Sequence, residues 1–438
     1  MGRVDRYSPP PMSLDPALVK DIAAAVDTGF DAQTDWLQKL VRHASLRGRE
    51  HTAQEMVHGA LAARGYGMDR WAINVDEIRE HPGFSPVTVD YTNAINVVGT
   101  HTPASAKGRS LILNGHIDVV PVGPRDMWAR DPFDPVIIGD WMFGRGAGDM
   151  KAGISANIFA VDALRTLGFE PAATLYQQSV TEEECTGNGA LSCLLRGYRA
   201  DAAIITEPSK HELVRANVGV IWFRIAVAGH PVHVAEAGSG ANAIEAAMAI
   251  ISGLRLLETE MNAEKGATRH FADHPHPINL NVGKIRGGDW ASSVPAWCEM
   301  DLRLSLFPGT EPRDIARRIE AAVAKACRDH PFLSNNPAQV SYNGFFTKGY
   351  ELPEGTEAEA TLISAHRAAF DADLVSGPST AYLDGRVFML YDDCPALVYG
   401  PVSQNIHGFD ERVSLSSLRR VTQTIALFVA DWCGLNRI

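Results

Sequence analysis

RSLILNGHIDVVP (residues 109–121) begins as an apolar, β-rich run and ends in His116, Asp118 and a proline. A short run of this kind, bounded by turn residues, is the pattern of a buried strand. NAINVVGTH (93–101), just before it, reads as another. Beyond it, KAGISANIFAVDALRTLGF (151–169) has apolar residues at helical spacing and a glycine near its end, so it reads as a helix. AATLYQQSV (172–180) and ADAAIITEP (200–208) follow as further buried strands. Strand, helix, strand in this order implies an α/β fold with a mainly parallel sheet, whose functional groups gather beyond the carboxyl ends of the strands.

Working outward, a proline-rich leader, MGRVDRYSPPPMSLDP, precedes a helical pattern over 15–65 that is interrupted near 45–49. From about Leu213 the pattern changes. GVIWFRIAVAG (219–229) reads as a strand, NAIEAAMAIISGLRLLE (242–258) as a helix, INLNVGKIRGG (278–288) and AWCEMDLRLSL (296–306) as strands, PRDIARRIEAAVAKACRD (312–329) as a helix, and AQVSYNGF (338–345) as a strand. The order βαββαβ fits a compact ferredoxin-like unit. PALVYGP (395–401) and LRRVTQTIALFVADW (418–432) look like the first pattern resuming. The expected organisation is a catalytic domain built from 1–213 and 347–438, with 214–346 inserted as a lid.

Composition removes several functional classes. The 438 residues are 45% hydrophobic and 21% charged, the profile of an ordinary globular protein of two or more domains. A formal charge of -12 argues against a phosphate-binding surface, so no nucleic-acid partner is expected. No run approaches the ~18 apolar residues of a membrane span, and the leader lacks the apolar core of a secretory signal. Its MG start has Arg6 where myristoylation wants Ser or Thr. The six cysteines are scattered, without a CxxC pair, which suits reduced thiols and a cytoplasmic protein.

Five stretches carry the polar groups that chemistry would use. GHIDVVP (115–121) holds His116 and Asp118 two residues apart, on one side of an extended chain, where the carboxylate can accept a hydrogen bond from the imidazole and fix the tautomer of a metal-binding ring. A buried structural His-Asp pair is the plain alternative. GRGAGDMKAG (144–153) invites a nucleotide reading, but Asp149 stands where GxGxxG needs its third glycine and no GK[ST] follows. That leaves a tight loop delivering Asp149 at a helix start, where capping would also suit it. SVTEEECTG (179–187) sets Glu182, Glu183 and Glu184 side by side, which alone would be a solvated acidic turn. TEPSK (206–210) places Glu207 just after a strand, and NIHGFDE (405–411) carries His407. GISAN (153–157) is not the GxSxG of a serine hydrolase. Two histidines and three carboxylates make the ligand set of a dinuclear zinc site with one shared carboxylate, and a neighbouring unbound glutamate would serve as its proton shuttle.

In this order, GHIDVVP, GRGAGDMKAG, TEEE, TEP and IHGFDE resemble the dinuclear zinc deacylases and exopeptidases, the family of acetylornithine deacetylase, succinyl-diaminopimelate desuccinylase, aminoacylases and glutamate carboxypeptidases. The resemblance runs from about residue 96 to the C-terminus. It implies that His116, Asp149 and Glu207 bind one zinc and that Asp149, Glu184 and His407 bind the other. It also implies a cis peptide after Asp149, Asp118 orienting His116, and Glu183 as general base. Glu182 matches a position that is usually acidic without being a ligand, so it is expected beside the site or in solvent. The inserted unit resembles the family's lid, which also forms a homodimer. There His233 matches a histidine that reaches the partner's active site and helps hold the oxyanion, and Arg303 matches the arginine that grips a substrate carboxylate. Asn242, three residues before Glu245, reads simply as a helix capping box. One departure is Ser292, where many relatives carry asparagine; Trp290 and Trp297 flank it and suit either an enlarged pocket or the core.

The expected function is removal of an acyl group from a small-molecule N-acyl amino acid by metal-activated water, with two zinc ions, or cobalt or manganese in their place. A deformylase acting on an N-formyl aminopyrimidine, or a dipeptidase or carboxypeptidase, is the alternative. A non-enzymatic metal-binding scaffold fits less well with a full ligand set and Glu183.

Overall fold

Apolar periodicity shapes the first element. Ile22, Val26, Phe30, Leu37 and Leu40 recur along one face of α1 (Pro16–Val41) and are buried there. Asp15 caps this helix by accepting the Ala17 N–H at 2.7 Å, and Pro16 sits in the first turn, where no N–H is needed. The computed structural model describes residues 12–438, so most of the proline-rich leader, 1–11, lies outside the described residues.

Next come α2 (His51–Ala62), β1 (Gly67–Ala72), β2 (Ile95–His101), β3 (Leu111–His116), β4 (Trp141–Phe143), α3 (Ala152–Thr166), β5 (Leu175–Val180), α4 (Asn188–Leu195) and β6 (Ala202–Ile205). The chain then enters a second unit with β7 (Gly219–Ala228), α5 (Ala243–Ala263), β8 (Leu280–Gly287), β9 (Trp297–Leu306), α6 (Pro312–Asp329) and β10 (Gln339–Thr347). It ends through β11 (Ala396–Val398), β12 (Ser403–Gln404), β13 (Arg412–Ser414) and α7 (Leu415–Cys433).

The main sheet has the order β1-β2-β5-β3-β6-β11. β5, β3, β6 and β11 run parallel, while β2 and β1 are antiparallel at one edge. The link 102–110 is too short for a crossover helix, so β3 runs opposite to β2. Every residue of β3 and β6 is buried, as expected for parallel strands covered on both faces. α3 is buried almost all round because α1 and α7 pack against it. Its first turn lies against the end of β6 only because residue 153 is glycine: a Cβ there would stand 2.2 Å from the Thr206 carbonyl oxygen.

The second unit is an antiparallel four-stranded sheet of order β8-β9-β7-β10, with the buried faces of α5 and α6 forming a core with it. Asn242 does cap α5, its side-chain oxygen accepting the Ile244 and Glu245 N–H groups at 2.9 and 3.3 Å. After this unit the chain returns to the main sheet, where β11 pairs with β6. β12 and β13 form a hairpin that pairs with β4, which carries the loop 405–411 to the loop that follows β4. Among the described residues, no helix is long and apolar enough to cross a membrane.

Candidate metal centre and active site

The carboxyl ends of β3, β5 and β6 lie side by side, His116 being the last residue of β3 and paired with Val180 of β5. The turn 181–187 follows β5 and Glu207 follows β6, while the β4–α3 loop supplies Asp149 and the β12–β13 hairpin supplies His407. His116, the turn 181–187 and Glu207 thus converge because parallel strands end on one edge, and the antiparallel pairing of β4 with β13 brings in the loops of Asp149 and His407.

His116 is 1% exposed. Its Nε2 lies 3.0 Å from Asp149 Oδ1, 3.7 Å from Glu207 Oε1 and 3.8 Å from Glu183 Oε2. On the other side of the ring, Nδ1 lies 2.9 Å from the backbone carbonyl oxygen of Asp118 and 3.7 Å from its carboxylate. A carbonyl oxygen can only accept, so Nδ1 carries a proton, and Nε2 is the ring atom that faces the carboxylates. Asp118 thus meets the ring most closely through its main chain. Its carboxylate, 3.7 Å from Nδ1, also accepts the Glu184 N–H at 3.1 Å.

Asp149 divides its two oxygens between the histidines: Oδ2 lies 3.4 Å from His407 Nε2. His407 Nε2 is also 3.1 Å from Glu184 Oε1. Asp149 does not cap a helix, because Lys151 occupies the N-cap position of α3 and Asp149 itself has non-helical dihedrals. The Asp149–Met150 peptide is cis, as the resemblance implied.

No Lys or Arg pairs with Asp118, Asp149, Glu183, Glu184 or Glu207 among the described residues. Buried carboxylates without cations are costly, and their titration reflects it. Burial, and then the neighbouring carboxylates, push Glu183 and Glu207 well above the usual range, against the pull of His116. Burial lowers His407, but Glu184 and Asp149 outweigh it and raise the imidazole to about 11. His116 is raised likewise, its burial outweighed by Glu207 and Glu183. Asp118 Oδ1 and Glu207 Oε1 are buried with no hydrogen-bond partner among the described residues. Ligand-capable atoms of His116, Glu183 and Glu207 all lie within 4.8 Å of one another, as do those of His116, Asp149 and Glu184. Nitrogen and oxygen donors at this density, short of positive charge, fit one or two divalent cations.

Three supporting groups escaped the sequence reading. Glu411, fully buried, accepts the N–H groups of Gly148 and Asp149 at 3.0 and 3.1 Å through Oε1 and pairs with Arg145 through Oε2. Arg145 also donates to the Gly408 carbonyl, so this pair ties the Asp149 loop to the His407 loop. Asp384 is buried nearby and accepts the Tyr382 hydroxyl at 3.0 Å; burial raises it to about 6 while His116 and Arg386 pull the other way. A lone acid after a turn, as Glu411 is, carries little local signal, although NIHGFDE contains it.

The remaining expected residues lie elsewhere. Glu182 is 2% exposed and paired with Arg47, which rules out the solvated reading. His233 is exposed on the second unit, its Nδ1 accepting the Ala235 N–H, and it touches none of the five proposed ligands. Arg303 is partly buried rather than exposed on its strand. It donates to the Thr380 carbonyl at 2.9 Å and to Ser305 Oγ at 3.0 Å, with no carboxylate partner among the described residues, and burial lowers it to about 10. Trp290 is 74% exposed, which excludes a core role, and Trp297 bonds to Asp289.

Buried His116, the half-exposed His407 and a group of carboxylates without a cationic partner, gathered beyond the carboxyl ends of parallel strands, make a site suited to divalent metal. Residues 112–431 match the family described as Peptidase family M20/M25/M40, and the chain belongs to it. It is 29% identical over 448 residues to the N-formyl-4-amino-5-aminomethyl-2-methylpyrimidine deformylase of Halalkalibacterium halodurans, covering 96% of this chain and 99% of that one. It is 30% identical over 330 residues to the acetylornithine deacetylase of Erwinia tasmaniensis, covering 74% and 80%. The solved structure of the dipeptidase Dug1p from Saccharomyces cerevisiae superposes with a TM-score of 0.74 at 16% identity over 95% and 98% of the two chains, a likeness of fold. The chain is accordingly an enzyme that acts on amide bonds, in a metal-dependent family.

Proposed function

We propose that the chain hydrolyses the amide of a small N-acylated compound, with His116, Asp149 and Glu207 holding one divalent ion and Asp149, Glu184 and His407 the other. The observation that carries this is the division of Asp149, with one oxygen 3.0 Å from His116 and the other 3.4 Å from His407. Zinc is the proposed metal. When bound, such ions lower the pKa of water toward ~7 and polarise the amide carbonyl. Glu183, buried beside His116 and free of any Lys or Arg ion pair, accepts the proton of the attacking water and returns it to the leaving nitrogen. The products are a carboxylic acid and a free amine.

The βαββαβ order of residues 214–346 supports the reading of this unit as a ferredoxin-like lid inserted in a catalytic domain of 1–213 and 347–438. We propose that it also forms a homodimer, in which His233 of the partner subunit completes the oxyanion site. That the protein acts in the cytoplasm is part of the same reading.

An N-acyl amino acid is the proposed substrate, and Arg303 supports it: a partly buried guanidinium without a carboxylate partner suits a substrate carboxylate. An N-formyl aminopyrimidine is the second reading, favoured by the likeness to the Halalkalibacterium deformylase over nearly the whole of both chains. The test is hydrolysis by metal-reconstituted protein across N-acetylornithine, N-succinyl and N-formyl amino acids, a dipeptide and N-formyl aminopyrimidine, each with and without chelator. Chelator-sensitive turnover of an amino-acid member supports the first reading, and turnover of the pyrimidine alone supports the second. Turnover insensitive to chelator contradicts both.

A further inference from the structure

The chemistry above uses two of the three adjacent glutamates and leaves Glu182 without a task. Its carboxylate, 2% exposed, is gripped from several sides. Arg47 donates Nε to Oε1 at 2.6 Å and Nη2 to Oε2 at 2.7 Å. Oε2 also accepts the Tyr91 hydroxyl at 2.5 Å and Thr186 Oγ1 at 3.0 Å. Tyr91 in turn receives Asn188 Nδ2 at 3.2 Å, and Asn188 bonds to both the N–H and the carbonyl of Ser85.

The backbone is held as firmly. Glu182 has φ +68°, a left-handed conformation that a non-glycine residue keeps only when its surroundings enforce it. Its carbonyl oxygen accepts the N–H groups of Thr186 at 2.9 Å and Gly187 at 2.7 Å. Glu183 and Glu184 therefore leave a residue locked by both its side chain and its main chain. Arg47 lies between α1 and α2, in a loop that also meets the strand end carrying His116: Leu46 bridges to Val119, and Ser45 Oγ donates to the Ile117 carbonyl at 2.6 Å.

We propose that Arg47 is a positioning residue for the hydrolytic reaction. Its two-pronged hold on Glu182 fixes the turn that aims Glu183, Glu184 being tethered separately through its N–H to the Asp118 carboxylate, and Tyr91 and Thr186 remove the freedom that remains. A bidentate guanidinium–carboxylate pair fixes orientation as well as distance, and it supplies one positive charge to a run of three carboxylates without touching the two that work. The inference rests on the reading of Glu183 as general base.

The experiment compares full-length, metal-reconstituted wild type, Arg47→Ala, Arg47→Lys and Glu183→Gln on the amide turned over fastest in the panel above. Arg47→Ala is expected to lower kcat by about 10- to 100-fold, as for a small misplacement of a reacting group, with KM within about threefold and bound metal unchanged. Deuterium uptake over residues 182–188, read by mass spectrometry without substrate, is expected to rise. Guanidinium at about 20 mM should restore part of the rate and of the protection, because the Arg47 side chain is 25% exposed and its deletion leaves an opening, whereas urea at the same concentration should not. Arg47→Lys should fall between wild type and Arg47→Ala. A folded Arg47→Ala with kcat within twofold of wild type, or with unchanged uptake, overturns the proposal, as does a rate loss that follows metal loss. If Arg47→Ala does not fold, Tyr91→Phe, which deletes one bond to Glu182, must show the same pattern in weaker form, and unchanged kcat overturns it there. Wild-type rate in Glu183→Gln refutes the reading of the base itself, whereas an inactive Glu183→Gln beside a fully active Arg47→Ala refutes only the positioning role.

Discussion

Glu411→Gln should damage both stability and metal binding, for reasons that can be read from its partners. In the wild type, Oε1 accepts two backbone N–H groups of the Asp149 loop while Oε2 pairs with Arg145, and both side chains of this pair are almost wholly buried. Glutamine can still accept from the two N–H groups through its carbonyl, but its amide then turns a donor toward Arg145, which is a donor too. An uncompensated buried guanidinium costs about 3–5 kcal/mol. At roughly 2 °C per kcal/mol for a large domain, the first thermal transition should fall by about 6–10 °C. The loops carrying Asp149 and His407 both lose a tether, so metal affinity should fall about 10- to 100-fold, as for other groups that orient ligands. Differential scanning calorimetry of the metal-free protein isolates the first effect, and chelator competition measures the second. A transition within 2 °C of wild type together with unchanged metal affinity would refute the argument.

Other consequences follow from the same geometry. Glu184→Ala removes one of the groups around His407 and should lose bound metal, which metal analysis after gel filtration would detect; full occupancy would overturn the ligand assignment. Arg303→Ala should lower kcat/KM about 10- to 100-fold for a substrate with a free carboxylate, the value of one hydrogen bond to a charged group, and leave an N-formyl aminopyrimidine unaffected. Glu50 gives a pH signature: burial, then Asp118, push it up to about 8 from its ordinary 4.5. The folded state therefore binds the extra proton, so this contribution is fully present below about 4.5 and is lost as pH rises through about 8. Thermal unfolding at pH 5.5 and pH 8 should accordingly favour the lower pH, and Glu50→Gln should shrink the difference; a variant with the wild-type slope would exclude Glu50 as its source.

The parts of the molecule that were legible in the sequence share a cause. β3 and β6 begin as short apolar runs because parallel strands are buried on both faces, and they lead to His116 at the end of β3 and to Glu207 just past β6, while β5, more polar with Gln177, Gln178 and Ser179, leads into the turn 181–187. Polar residues placed immediately after such runs stand out against them. Strand direction was less visible, since β2 is a buried, β-rich run much like β3 and β6 and only the short link to β3 makes it run the other way. The supporting groups were hidden for another reason. Glu411 reaches Arg145 across 266 positions and Glu182 reaches Arg47 across 135, and a charged residue whose partner lies that far away looks locally like any solvated one. Asp118 illustrates the limit of spacing arguments: the two-residue interval did bring it to His116, but the atom that meets the ring belongs to the backbone.

The most direct test of the account is the metal content and kcat of Glu183→Gln measured on the same preparation. The account predicts that the variant keeps the wild-type complement of metal while kcat falls on the order of 10²- to 10⁴-fold, the contribution of a positioned general base. Metal lost together with activity would make Glu183 a ligand, as its 3.8 Å approach to His116 would allow, and an unchanged rate would remove it from the reaction altogether.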